Sequence, residues 1–187
     1  DQKENWTTIG VSTDIINVIA EVGPFACTES YAAMEVMDRF AWNMRNVPGV
    51  QQVVTLADVG RIVTADYNEG SLKWRALPRN TEVMRQSLSS VETDSGLIDS
   101  PECRAMPIMV FTEDHKAETI TRVVDAVKAF REKNNAYDIN FRVERAAAEA
   151  AAQEKGEEFR TDQVNLRLAT GSVGVAAAIN ETVSALE

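Results

Sequence analysis

From Asp14 to Val22 the chain reads Asp-Ile-Ile-Asn-Val-Ile-Ala-Glu-Val, a β-branched apolar run that Gly23-Pro24 stops. Such a run predicts a buried first strand. The pattern then changes period: Tyr31, Met34, Met37, Ala41 and Met44 recur at three- and four-residue steps, with Thr28 as N-cap candidate and Asn46-Val47-Pro48-Gly49 as the stop. This spacing predicts a long helix. Val50 to Leu56 (Val-Gln-Gln-Val-Val-Thr-Leu) suits a second strand, which completes a βαβ unit.

Residues 57–103 are less regular, with a turn at Asn68-Glu69-Gly70, a short helix after Pro78-Arg79-Asn80 that uses Val83, Met84 and Leu88, and a loop from Ser89 to Glu102. A third strand, Ala105 to Phe111, precedes the clearest helix, in which Asp114 can cap a stripe of Ile120, Val123, Val124, Val127 and Phe130, and Asn134-Asn135 ends it. Arg142 to Glu158 is rich in Ala, Glu, Gln and Arg but holds almost no large apolar residue, so it can bury little surface. The expectation for 142–160 is an exposed helix, or a helical insertion between core elements. Gln163 to Leu168 alternates as a half-buried strand does, and Gly171-Ser172 introduces a final helix carrying Val175, Ile179 and Val183.

Two βαβ halves of this kind predict an α+β fold, a ferredoxin-like four-stranded antiparallel sheet with helices on one face plus extra helices. The 187 residues, 44% hydrophobic and 26% charged, suffice for a real core in a single domain. A formal charge of -10 with no basic stripe opposes phosphate backbones, so nucleic acid is not an expected partner. No apolar run approaches the roughly 20 residues that span a bilayer. The chain opens without Met and ends in Leu186-Glu187, which reads as a cloning scar on a domain excised from a longer protein.

The two cysteines bear on the topology. In such a sheet the first and third strands are antiparallel neighbours, and Cys27 and Cys103 sit just beyond the end of one and the start of the other. A disulfide between them would imply an oxidising compartment; two reduced, half-buried thiols are the alternative.

Asn46-Val-Pro-Gly-Val50, Asn68-Glu-Gly-Ser-Leu-Lys-Trp-Arg75, Phe111-Thr-Glu-Asp-His-Lys-Ala-Glu-Thr-Ile120 and Arg167-Leu-Ala-Thr-Gly-Ser-Val-Gly174 resemble a periplasmic loop of exporters of the resistance-nodulation-division (RND) superfamily. Within it they are most similar to the hydrophobe exporters, the MMPL and hopanoid-transporter branch. The likeness runs from about Trp6 to Val183, with 142–160 outside it. It implies a porter domain in the periplasmic loop of a bacterial inner-membrane protein, with the proton-coupling carboxylates elsewhere. The implied partners are the membrane spans, the other periplasmic loop, further copies in a homo-oligomer, and a hydrophobic small molecule or lipid as cargo. The alternative is a stand-alone periplasmic module that binds a small molecule or lipid.

No motif points to catalysis or to a cofactor. His115, beside Glu113, Asp114 and Glu118, reads as an exposed residue in an acidic first helical turn rather than as a base or metal ligand. Ser172 lacks the Gly-x-Ser-x-Gly spacing of a nucleophile elbow and reads as a cap. Neither Gly-x-Gly-x-x-Gly nor a Walker loop occurs, and no further His or Cys near the cysteines completes a metal set. Phe40, Trp42, Trp74 and the methionines Met34, Met37, Met44, Met106 and Met109 offer either core packing or a soft apolar path. Tyr67 to Arg75 mixes aromatic and cationic residues with a turn, so Tyr67, Trp74 and Arg75, with Trp42, are the expected substrate-path or interface residues.

Overall fold

The β-branched runs pair into one antiparallel sheet in a computed structural model that describes residues 14–89, 91, 95–133, 147, 150–156 and 164–169. Strands β1 (Ile15–Glu21), β2 (Val50–Val54), β3 (Ala105–Thr112) and β4 (Asn165–Leu168) lie in the order β2-β3-β1-β4. Every neighbouring pair is antiparallel. The fold is therefore α+β around a four-stranded antiparallel sheet. Alternation along β1 and β3 separates the sheet faces. Ile16, Val18 and Ala20 stand opposite Val110, Ile108 and Met106, all buried, whereas Ile19 and Met109 on the other face are half-buried.

Pro107 sits in a central strand, where the missing N–H would normally break the ladder. Here β2 pairs with β3 only as far as Met109, so Pro107 lies beyond the end of β2 and faces only β1, at Ile19.

Helix α2 (Tyr31–Arg45) buries Met34, Met37, Phe40, Ala41 and Met44 in the core. The predicted apolar stripe of α5 (Ala117–Lys133) is likewise buried, and Phe40 meets Phe130 edge to face at 5.1 Å. Of the residues offered as a soft apolar path, Met34, Met37, Met44, Met106 and Phe40 are thus core, while Trp42 and Trp74 are exposed.

Two expectations need correction, and a third holds. The helix expected to be capped by Thr28 is two helices, a short α1 (Ala26–Glu29) and then α2, whose N-cap is Ser30 accepting from the Ala33 N–H. The second strand stops at Val54. Thr55 then caps a helix within the stretch read as irregular, α3 (Leu56–Asp66), through a reciprocal capping box with Asp58. The short helix after Asn80 forms as α4 (Thr81–Leu88), with Asn80 as its cap.

Asp114 accepts from the Lys116 N–H just ahead of α5. Residue 147 and residues 150–155 are helical and mostly exposed, and Gly156 follows in a left-handed turn. The polar lead-in before Asp14, the stop at Asn134-Asn135, Ser172 and the final helix lie outside the described residues. No helix among the described residues is long and apolar enough to cross a membrane.

Candidate functional site

Two places carry at least one residue singled out from the sequence. The first is the Cys27–Cys103 disulfide. The β1–β3 ladder runs on past its last pair, Val22 donating to the Arg104 carbonyl and Phe25 to the Glu102 carbonyl, and this brings the two cysteines to a Cα separation of 6.1 Å. Both are buried. Phe25 and Cys103 adopt left-handed backbone conformations (φ 57° and 42°), which cost non-glycine residues energy and persist where the surroundings over-determine them. Buried at both of its cysteines, the bridge acts as a structural tie.

The second is an open-sided groove of about 510 Å³ beside the edge strand β2, lined from β2, α2, α3 and Arg75. Gln52, Val53 and Val54 all line it. Successive strand residues point to opposite faces, so three in a row place the groove along the edge of β2 rather than over one face.

Asp58, in the first turn of α3, organises the cationic side. Its Oδ2 accepts from the Thr55 N–H at 3.1 Å, the Thr55 hydroxyl at 2.9 Å and Arg45 Nη2 at 2.6 Å, while its Oδ1 accepts from Arg61. Arg45 Nη2 also donates to the Val53 carbonyl at 2.8 Å and so ties the C-terminal end of α2 to the edge strand. Arg61 lies 2.8 Å from Asp38 Oδ1 on α2, but the contact is not aligned as a hydrogen bond and that oxygen accepts none. Burial accordingly raises the Asp38 carboxyl above its ordinary value, against the attraction of Arg61 and with the repulsion of Asp58.

Arg75 follows a 3-10 turn, Leu72–Trp74, and completes the lining of the groove. Among the described residues its guanidinium makes no ion pair. Three guanidiniums thus line the groove against one carboxylate, with Val54, Val59 and Ile62 as its apolar part, while the Val53 side chain is buried in the core. Ile62 remains 45% exposed.

Of the residues expected in a substrate path, only Arg75 enters this groove; Tyr67, Trp74 and Trp42 are 64%, 54% and 66% exposed, outside its lining. The reading of the sequence missed Arg45, Asp58 and Arg61. The one local signal for them was Thr55-x-x-Asp58, a capping pattern that marks the start of α3 and so the helix that carries Arg61. His115 is 81% exposed and its Nδ1 lies 3.2 Å from Asp14. Asp114 is held at about 2 by hydrogen bonds from Thr119 and Lys116, as suits an exposed turn rather than a catalytic base. No group of His, Cys, Asp and Glu suited to a metal ion occurs among the described residues. No protein-family model, no curated protein and no solved structure matches this chain.

Proposed function

We propose that this chain is a non-catalytic periplasmic porter-type domain of an RND-superfamily exporter that moves hydrophobic or lipid-like molecules, and that its fold is ferredoxin-like. The sheet order β2-β3-β1-β4, all antiparallel, carries the reading, because it is the order that two interleaved βαβ halves produce. The four sequence segments named above supply the family. The disulfide supports an oxidising compartment. In this role the domain contributes walls and a contact surface to a substrate path, while proton flow elsewhere in the protein drives export.

The test is the full reading frame. An exporter loop requires apolar spans of about 20 residues on both sides of the domain. A frame with no such span on either side sinks the reading.

The groove favours a second reading, a stand-alone periplasmic module that binds a small molecule or lipid, since a cavity of about 510 Å³ lies within the range of small-molecule sites. A frame with a secretory leader and no spans would select it.

A further inference from the structure

We infer that the groove beside β2 binds an amphipathic organic anion, its acidic headgroup on Arg75 and its aliphatic part on Val54, Val59 and Ile62. The inference deepens the binding-module reading by naming a ligand class; it applies equally to the same groove inside an exporter.

Charge comes first. The chain as a whole is acidic, at -10, yet this groove is lined by three guanidiniums and one carboxylate. That carboxylate is already committed, since Asp58 bonds the Thr55 cap, Arg45 and Arg61 at once. Arg45 and Arg61 are therefore held in place and act mainly through their field. Arg75 differs, because its planar fork has no ion-pair partner among the described residues and is suited to take a carboxylate or phosphate with two parallel bonds.

The apolar lining narrows the ligand class. Val54, Val59 and Ile62 give the groove an aliphatic side that a small inorganic anion would leave wet. The strand edge argues against an extended peptide as occupant. Arg45 already bonds the Val53 carbonyl, so a strand added along β2 would have to displace that guanidinium from both the carbonyl and Asp58. A short anionic amphiphile requires no such displacement.

The experiment titrates the whole domain by calorimetry with three ten-carbon probes: decanoate, decanol and decyltrimethylammonium. Decanoate should bind at least tenfold more tightly than the neutral or the cationic probe. Arg75→Gln should weaken decanoate at least tenfold, and Ile62→Ser should weaken it as well. Arg39→Gln, on α2 and outside the groove lining, should change it less than twofold. Equal affinity for all three probes, an unchanged Arg75→Gln variant, or no heat with decanoate would each overturn the inference. Binding of acetate or inorganic phosphate as tight as that of decanoate would also overturn it, by making the site one for small anions. Arg75 is exposed, so its replacement leaves the core intact, and failure of these titrations leaves the outcome of the reading-frame test untouched.

Discussion

The two ends of α2 are fastened to the sheet by different physics. At its N-terminal end the α1–α2 segment is held by the Cys27–Cys103 bridge in a buried setting. At its C-terminal end the tie is ionic: Arg45, Asp58, Arg61 and Asp38 link α2, α3 and the β2 edge, with side chains that remain about a fifth to a third exposed. The dry end depends on redox state. The wet end is weaker per contact and sits where a ligand can reach it, because a network of exposed charges can exchange partners at small cost. A domain that must hold its shape while one edge stays available to a ligand needs both kinds of fastening.

Cutting the dry tie should produce the largest effect. A loop closed over 76 residues restricts the unfolded chain by about 4 kcal/mol in the chain-entropy model. Reduction, or the double substitution Cys27→Ala with Cys103→Ala, should lower the stability measured from urea midpoints by about that amount. Decanoate affinity of the folded protein should not change. A loss below about 1 kcal/mol would mean that the ladder alone holds this end.

The wet tie should yield less. Asp58→Ala removes the reciprocal half of a capping box, leaving the Thr55 cap in place, at about 0.5 kcal/mol, and two partly exposed ion pairs of about 0.2–1 kcal/mol each. A total near 2 kcal/mol is expected, part of which should vanish in 1 M salt, where charges are screened beyond about 3 Å. A salt-independent loss would place the whole effect in the cap and erase the contrast between the two ends.

Much of the fold was legible because the signals for it are local. β-branched runs marked β1 and β2, the stretch from Ala105 to Phe111 marked β3, apolar alternation marked β4, and three- and four-residue spacing marked α2 and α5. Helix α3 was hidden by continuity: Val53-Val54 runs straight into Leu56, so the apolar run reads as one strand, and only the cap at Thr55 divides it. The disulfide was legible from topology, since antiparallel neighbours bring the end of one strand to the start of the other. The groove was not. Its arginines lie at 45, 61 and 75, on three separate elements, and no spacing in the chain reports that they converge.

Gly60 offers a smaller test of the wet side. It sits inside α3, and a Cβ there would meet Leu77 and Leu88 at 3.7 Å and Ser87 at 3.8 Å, all ordinary contacts. Gly60→Ala should therefore stabilise the domain by about 0.5–1 kcal/mol through the unfolded chain and helix propensity. A loss of stability would mean that α3 and α4 pack more tightly than these distances allow.

The smallest effect, and the finest test of the comparison, is the pH response of Asp38. Two forces compete at this carboxyl: burial favours the neutral acid, while Arg61 favours the anion. If burial wins, the folded state holds the proton more tightly than the unfolded chain does. Stability then falls as pH rises from the unfolded value, 3.8, through the raised folded value, and is flat above it. Asp38→Asn cannot make this change, so the stability of the variant relative to the parent should rise between about pH 4 and about pH 7, the other carboxylates cancelling in the difference. Urea midpoints of the two proteins at both pH values give that difference directly. If it fell instead, the attraction of Arg61 would outweigh burial, and the ionic end of α2 would be stabilised by the Asp38 charge rather than merely accommodating it.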